Sequence, residues 1–342
     1  MFNIALIIAW TNAVALGEDL CSTMKQDSLE VMRRAGFAGE AHRVRTPDGY
    51  LLTVHRLPAP PAPTAPPARR LAARKRRPVL LQHGLWSSAC YWLLQGPRHA
   101  LPYILSDAGF DVWMSNSRGV AVSQDHEFLS NDTDEYWDFS FHEMGVYDLP
   151  AVIEYVLKVT GREQLYYVGH SLGTTMFFVM ASLRPDVAAR VHFMVALAPV
   201  ATVHPVGGSL RVTVRVLKTF LPWSQHGMRI LKNNGISPKT VLHLMQLYLS
   251  GNFTMYDYGS RKNIEKYNTS KPLNYDIGNI NLPVLLCYGT EDPFSTEEDM
   301  KLLRSSLGDV TDLQSFPLGH LDFVEGRIVN RKLFEDIVSQ LH

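Results

Sequence analysis

Three things are scarce in this sequence: cysteine, an excess of charge of either sign, and long apolar runs beyond the first few residues. The three cysteines, Cys21, Cys90 and Cys287, are too few for a disulfide framework, and their spacing matches no zinc motif, although one disulfide between them is possible. There are 33 Lys and Arg residues against 33 Asp and Glu, so the formal charge is zero. A chain without a basic excess gives no reason to expect nucleic acid as a partner.

Motifs for bound cofactors are also absent. The sequence has neither a glycine-rich loop that could cradle a phosphate group nor an H-E-x-x-H zinc signature. We therefore expect no metal and no cofactor. After the N-terminus no stretch is apolar enough to span a membrane, so we expect no transmembrane segment.

The N-terminus predicts a secretory signal peptide over residues 1–17. Residues 2–16 are mostly apolar, and Ala13 and Ala15 fit a cleavage site, although no Lys or Arg precedes the apolar run. The run is shorter than the ~20 residues of a membrane span, which disfavours an uncleaved anchor. Glycosylation sequons, which also favour a secreted or lysosomal protein, occur at Asn131, Asn252 and Asn268.

The remaining chain predicts an α/β fold. A β-hairpin, with Pro47-Asp48-Gly49 at its tip, is followed by continuous apolar strands that alternate with helices, which is typical of a mostly parallel sheet covered on both faces. The alternation stops over residues 202–279, where we predict an inserted helical cap. The first part of the core then spans residues 18–201 and the second part residues 280–342.

One segment of the first core part, residues 58–77, has an unusual composition. Its first half is almost wholly Pro and Ala, which cannot build a core, and its second half is rich in Arg. We expect a solvated insertion between two strands. A contact with a phospholipid surface and a processing site remain alternatives.

The most informative motif lies at residues 169–173, which read G-H-S-L-G. An apolar strand precedes it and a helix follows, the context of a nucleophile elbow in an α/β-hydrolase. A strand that turns directly into a helix leaves no room for side chains two residues before and after the serine, which explains Gly169 and Gly173. Ser171 is therefore the predicted nucleophile, unless the pattern arises by chance in a loop.

An unassisted serine hydroxyl cannot attack an ester, so it needs a base, an acid and an oxyanion site. Asp292 and His320 follow the ends of later strands, in the chain order of the α/β-hydrolase triad. Glu291 is the rival acid, Asp292 could be a turn residue, and His320 could be a surface histidine. His170 lies inside the elbow and is expected to point away from the reaction.

The oxyanion site requires two backbone N–H groups. The residue after the nucleophile, Leu172, supplies one. The loop after the strand that ends at His83 supplies the other, and Leu85 is the best candidate because Gly84 permits close approach. An ordinary turn at His83-Gly84 is the alternative.

Beyond these residues, the chain resembles the acid lipase family, which comprises gastric, lingual and lysosomal lipases and their arthropod relatives. The matching segments are residues 46–53, 81–85, 107–114, 116–119, 143–144, 147–151, 166–171 and 320–323. The resemblance implies an α/β-hydrolase fold and hydrolysis of triacylglycerols or cholesteryl esters under a mobile lid, at a lipid–water interface. It also maps the family's nucleophile, acid and base onto Ser171, Asp292 and His320.

The chain departs from the family pattern in three places. Leu172 stands where the elbow usually carries Gln, the 58–77 insertion is unusual, and the cap is several turns shorter. A shorter cap leaves interfacial activation and substrate size open. A carboxylesterase for short esters and a non-catalytic lipid-binding relative are therefore the alternative functions.

Overall fold

The computed structural model describes residues 27–58, 76–205, 207–308, 310–325 and 330–341. The predicted signal peptide, Cys21 and most of the 58–77 insertion lie outside these residues. Within the described part, Cys90 and Cys287 are both buried and form no disulfide with each other.

Nine strands form one sheet in the described chain. They are β1 (Glu40–Arg45), β2 (Tyr50–Leu57), β3 (Pro78–Gln82), β4 (Asp111–Ser115), β5 (Asp125–His126), β6 (Leu165–His170), β7 (Val191–Leu197), β8 (Val284–Gly289) and β9 (Val310–Phe316). Their order is β1-β2-β4-β3-β6-β7-β8-β9, and β5 pairs with β2. The pairs β1–β2 and β2–β4 are antiparallel, whereas every pair from β4 to β9 along the path is parallel.

Helices cover both faces of the sheet. The core helices are α1 (Ser28–Arg34), α2 (Leu101–Asp107), α3 (Phe141–Glu143), α4 (Leu149–Thr160), α5 (Leu172–Leu183), α6 (Pro185–Ala188), and, after the cap, α11 (Glu297–Ser306), α12 (Asp322–Glu325) and α13 (Asn330–Leu341). In β3, Leu80 packs into one apolar layer, whereas Val79 and Leu81 pack into the other. Alternate side chains of a strand point to opposite faces, so each strand contributes to both layers. The predicted α/β-hydrolase fold is confirmed.

Between β7 and β8 the chain forms further helices: α7 (Gly208–Phe220), α8 (Gln225–Asn233), α9 (Pro238–Ser250) and α10 (Ser260–Tyr267). They enclose a small apolar cluster of their own, built from Leu231, Ile236, Val241 and Met245. This stretch corresponds to the predicted cap, although its boundaries at 202 and 279 stay a prediction. No helix in the described residues is both long and apolar enough to cross a membrane.

Candidate active site

The residue predicted as nucleophile sits on a strained backbone. Ser171 joins β6 directly to α5, and its φ is 52° with ψ −119°. A non-glycine residue rarely adopts positive φ, and such strain persists only where the surrounding structure imposes it. Here the bend places the Ser171 side chain at the carboxyl end of the parallel strands, beside the N-terminus of α5. Open α/β sheets build their sites at this edge.

The two glycines of the motif make that bend possible. A Cβ on Gly169 would lie 3.0 Å from the carbonyl carbon of Gly173, and a Cβ on Gly173 would lie 2.5 Å from the carbonyl oxygen of Gln82. Real side chains do not fit at these distances. The strand, the helix and β3 can therefore pack this closely only because both positions lack a side chain.

A continuous chain of hydrogen bonds joins the three predicted triad residues. His320 Nε2 is 2.7 Å from Ser171 Oγ, and His320 Nδ1 is 2.8 Å from Asp292 Oδ2. The sequence separates Ser171 and His320 by 149 residues, yet the ends of β6 and β9 bring them together. This geometry allows the imidazole to accept the hydroxyl proton while the carboxylate fixes its tautomer.

The structure also distinguishes between the two candidate acids. Asp292 is buried, and its second oxygen, Oδ1, accepts hydrogen bonds from the backbone N–H groups of Phe294 at 2.8 Å and Ser295 at 3.2 Å. Glu291 is exposed. The carboxylate of Asp292 is thus held in place by its own loop, and its position favours it over Glu291 as the partner of His320.

The predicted oxyanion loop lies against the elbow. A Cβ on Gly84 would be only 3.0 Å from Ser171 Cβ and 3.3 Å from the carbonyl oxygen of His170. Two residues later, Trp86 has a φ of 55°, so the loop turns through a conformation that side chains rarely adopt. Leu85 lies between these two residues and shares a cleft with Leu172, as the oxyanion prediction requires.

Two buried histidines fix the loops around this site, and the first is His83. Its Nε2 accepts a hydrogen bond from the backbone N–H of Ser117 at 3.1 Å, so its Nδ1 must donate to the carbonyl oxygen of Gly84 at 2.7 Å. Burial lowers the pKa of His83 to about 4 and keeps the ring neutral. The ring thereby holds the Gly84 turn in shape.

The second buried histidine beside the site is His170. It points away from the Ser171 hydroxyl, as expected, but its Nε2 donates to the backbone carbonyl oxygen of His320 at 2.9 Å, and the two rings are 5.3 Å apart. Burial, together with the neighbouring His320, lowers the pKa of His170 to about 3. His170 therefore holds the elbow and the His320 loop together through a hydrogen bond. The sequence patterns do not indicate this role.

A buried arginine that the sequence patterns do not indicate joins three separate segments of the core. Arg118 is ion-paired with Asp148 at 2.7 Å and with Asp48 at 2.6 Å, and its guanidinium lies 3.9 Å from the centre of the Tyr50 ring. Burial raises the pKa of Asp148, whereas Arg118 holds the pKa of Asp48 low against the effect of its burial. The network connects the tip of the β1–β2 hairpin to the loop after β4.

A cleft opens beside the elbow, between the core and the cap. The core side includes Gly84, Leu85, Trp86 and Leu172, and the cap side includes Ile236. Most of the large side chains in this lining are apolar. Apolar side chains therefore lie next to the two predicted oxyanion residues, Leu85 and Leu172.

The remaining sequence predictions concern glycans and metals. The three sequon asparagines, Asn131, Asn252 and Asn268, are exposed. Among the described residues, no group of three or more His, Cys, Asp or Glu side chains could hold a metal ion.

Comparison with known proteins adds the family to this geometry. A family model for the alpha/beta hydrolase fold matches residues 77–235, and a second, for a partial alpha/beta-hydrolase lipase region, matches residues 29–96. Lipase 1 of Drosophila melanogaster is 33% identical to this chain, over 93% of this chain and 81% of its own length. Lipase member M of Homo sapiens is 35% identical, with 90% and 84% coverage.

The chain belongs to the acid lipase family. Human gastric triacylglycerol lipase is likewise 33% identical, over 90% of this chain and 88% of its own length. This member of the family is a carboxylic ester hydrolase of the lipase type, as the sequence resemblance implies.

Solved structures show the same fold at much lower identity. A thermophilic esterase from Thermogutta terrifontis has a TM-score of 0.52 at 16% identity and covers 88% of this chain and 98% of its own. A bacterial membrane phospholipase A has a TM-score of 0.53 at 15% identity, with 99% coverage of both chains. At these identities the likeness concerns the fold alone.

Proposed function

We propose that this protein hydrolyses carboxylic esters of lipids by a serine mechanism, with triacylglycerol, cholesteryl ester or both as substrates. The observation that carries the proposal is the hydrogen-bond chain from Ser171 through His320 to the buried Asp292. Membership of the lipase family and the apolar cleft beside the elbow support a lipid substrate.

In the first half of the reaction, Ser171 Oγ attacks the ester carbonyl carbon and its proton passes to His320 Nε2. The backbone N–H groups of Leu85 and Leu172 stabilise the oxyanion of the tetrahedral intermediate. The carbon–oxygen bond to the alcohol then breaks, and His320 returns the proton to the departing oxygen. Asp292 stabilises the imidazolium and keeps its Nδ1 protonated throughout.

In the second half, His320 removes a proton from water, and the hydroxide attacks the acyl group on Ser171. A second tetrahedral intermediate collapses to release the fatty acid, and His320 gives the proton back to Ser171 Oγ. No step requires a metal or a cofactor, because the carbonyl is polarised by backbone dipoles alone.

The test is covalent labelling of the purified protein with a fluorophosphonate, followed by mapping of the modified peptide. We expect the label on Ser171, and we expect Ser171→Ala to lose both labelling and ester hydrolysis by several orders of magnitude. Since alanine differs from serine by one oxygen atom, the variant is a fair match in shape. Unchanged hydrolysis by Ser171→Ala would overturn the mechanism.

Chain-length dependence separates the lipase from a carboxylesterase for short esters. We expect hydrolysis of emulsified long-chain triacylglycerol as well as of soluble short-chain esters. Activity confined to the soluble esters would leave the carboxylesterase. Binding of lipid without any hydrolysis would favour the non-catalytic relative, although such a protein would not need His320 in contact with Ser171.

We also propose that the protein is made with a cleaved leader, residues 1–17, and is a secreted or lysosomal glycoprotein that works at a lipid–water interface. The exposure of Asn131, Asn252 and Asn268 supports glycosylation. N-terminal sequencing of the protein from a eukaryotic host and a mobility shift on glycosidase treatment test both points. An intact Met1 and an unchanged mobility would contradict them.

A further inference from the structure

Helix α7 of the cap presents apolar side chains to solvent on one face. The exposed fractions are 63% for Val212, 46% for Val216, 64% for Phe220 and 84% for Trp223, which follows the helix. The first three are spaced four residues apart, so they form a stripe along the helix. We call these four residues the cap stripe. Large apolar side chains gathered in an exposed patch mark a binding surface.

The opposite face of the same helix is the one that packs. Val214, Leu217 and Leu221 contact the small cap cluster around Leu231 and Ile236, and the oxyanion-loop residues Leu85 and Trp86 contact that cluster too. The stripe is therefore not needed to hold the cap together. It lies on the side of α7 that faces away from the cluster with which the predicted oxyanion loop makes contact.

The charge around the stripe has one sign. No Asp or Glu occurs anywhere in residues 187–256. The Lys and Arg residues of the cap in this interval are Arg211, Arg215, Lys218, Arg229, Lys232 and Lys239. A local excess of positive charge in a chain whose formal charge is zero is an uneven distribution, and it requires an explanation.

Part of that charge is used to attach the cap. Lys232 is ion-paired with Asp134, and Lys239 with Asp138 at 2.9 Å, so both bind the cap to the core. Arg215 and Lys218 form no ion pair with any described residue. By helical spacing Arg215, which is exposed, lies beside the cap stripe, whereas Lys218 lies towards the packed face and is half-buried.

We propose that the cap stripe, with Arg215 beside it, docks this protein onto a negatively charged lipid surface. Amphipathic helices with apolar and aromatic side chains on one face and Lys or Arg beside them bind the interface of anionic lipids in this way. The inference rests on the proposed function for its purpose, because lipid hydrolysis requires contact with the lipid phase. It adds the surface and the sign of its charge.

The products of the proposed reaction strengthen the argument. Each turnover releases a fatty acid, whose carboxylate adds negative charge to the surface on which the enzyme works. A basic docking face would hold the enzyme on lipid that already contains product. An acidic protein partner is the alternative, but the exposed aliphatic and aromatic side chains of the stripe fit the lipid boundary better.

The test is co-sedimentation of the full-length enzyme with vesicles of dialkyl ether phospholipids, which contain no carboxylic ester to cleave. Vesicles of phosphatidylcholine ethers alone are compared with vesicles that also contain phosphatidylglycerol ethers. We expect tighter binding to the anionic vesicles, and added salt should weaken it. Equal binding to both kinds of vesicle would overturn the proposal.

Matched variants locate the surface. Arg215→Gln should weaken binding to anionic vesicles about 5-fold, and Phe220→Ser with Trp223→Ser should weaken binding to both kinds. Arg69→Gln removes the same charge from the 58–77 insertion and should change little. Phe128→Ser removes another exposed phenyl ring, 85% exposed, and should also change little.

Four further outcomes are decisive. Loss of binding in the insertion variant but not in the cap variant would overturn the proposal, and so would concentration-dependent self-association that only the Phe220 and Trp223 variant abolishes. Because the vesicles contain no carboxylic ester, they measure docking alone. An enzyme that binds them but hydrolyses no ester in a separate assay would contradict only the proposed function. Hydrolysis of soluble esters without vesicle binding would contradict only the docking surface.

Discussion

The glycine before Leu85 is where a single added methyl group should disturb the chemistry most. A Cβ at Gly84 would lie 3.0 Å from Ser171 Cβ and 3.3 Å from the carbonyl oxygen of His170. The elbow is packed too tightly to give way, so the loop would move and carry the Leu85 N–H with it. We expect Gly84→Ala to lower kcat on a soluble ester about 10²-fold with little change in KM. Steady-state kinetics on a p-nitrophenyl ester measures both.

Gly207→Ala is the matched control for that variant, since a Cβ there meets nothing within 4 Å and the backbone φ is −106°. It should keep the kinetics of the wild type. If Gly84→Ala turned over as fast as Gly207→Ala, the oxyanion site would have to lie elsewhere.

His170 offers a second test at this scale, because it positions the His320 backbone without touching the Ser171 hydroxyl. His170→Phe removes the hydrogen bond to the His320 carbonyl, and we expect kcat and the rate of fluorophosphonate labelling to fall about 10- to 100-fold. His170→Gln can place an amide N–H at the same point and should recover much of the rate. Wild-type rates in His170→Phe would mean that the ring has a packing role only.

Sequence patterns found the residues whose chemistry is tied to a motif, but not their supports. Ser171, Asp292 and His320 stand out by motif and chain order, and the structure brings them into contact. His170 carries no signal, since a histidine inside the elbow gives no indication of which way its ring turns. Arg118 likewise carries no sequence signal, because its partners Asp48 and Asp148 come from distant turns that only the folded sheet brings together.

Among the elements, the buried strands were the easiest to predict and their limits the hardest. Continuous apolar runs indicate β3, β4 and β6 to β8, but they do not define the first and last residue of each strand. Two elements gave no usable pattern, the short β5 and the π-helical turn Met144–Asp148, which continues into α4. Both depend on tertiary contacts, such as the pairing of β5 with β2, rather than on local periodicity.

The attachment of the cap to the core depends on a contact between two glycines. A Cβ on Gly235 would lie 2.6 Å from the carbonyl oxygen of Gly119, and Gly235 has a φ of +74°. Next to it, the buried Ser237 donates to the carbonyl oxygen of Trp137 at 2.7 Å and caps α9. We expect Gly235→Ala to loosen the cap, and limited proteolysis should show faster cleavage within residues 207–235.

Gly96→Ala separates this clash from simple backbone strain. Gly96 has the same φ of +74°, but a Cβ there meets nothing within 4 Å. Both variants should lose about 1–2 kcal/mol of unfolding free energy to the positive φ. Only Gly235→Ala should lose more and expose the cap, and equal behaviour of the two would mean that the glycine contact does not hold it.

At the scale of the whole molecule, buried histidines set the response to acid. Burial lowers the pKa to about 4 for His55 and His83 and to about 3 for His170 and His243, from an ordinary value of 6.5, and it also lowers the pKa of His142. These rings bind protons more readily in the unfolded chain. Stability is therefore complete above pH 6.5 and is lost as the pH falls from 6.5 towards the folded-state values.

The loss of stability at mildly acidic pH should be large. At pH 5 each of the four histidines with a stated pKa would reduce the unfolding free energy by about 2 kcal/mol, which together is on the order of the whole stability of a typical domain. We expect the unfolding free energy, measured with urea between pH 7 and pH 5, to fall steeply.

Replacing one buried histidine tests whether these rings cause the loss of stability in acid. His243 is buried against Phe141, with ring centres 3.8 Å apart, and its Nε2 is 2.9 Å from the carbonyl oxygen of Thr254. His142 and Lys239 add to the effect of burial on its pKa. His243→Gln should reduce the slope of stability against pH below 6.5 by up to about 1.4 kcal/mol per pH unit, whereas His99→Gln, at an exposed position, should leave it unchanged. If the slope of unfolding free energy against pH stayed the same in His243→Gln, the acid sensitivity would come from groups other than this histidine. If the unfolding free energy of the wild type did not change with pH, the buried rings would become protonated without unfolding the chain.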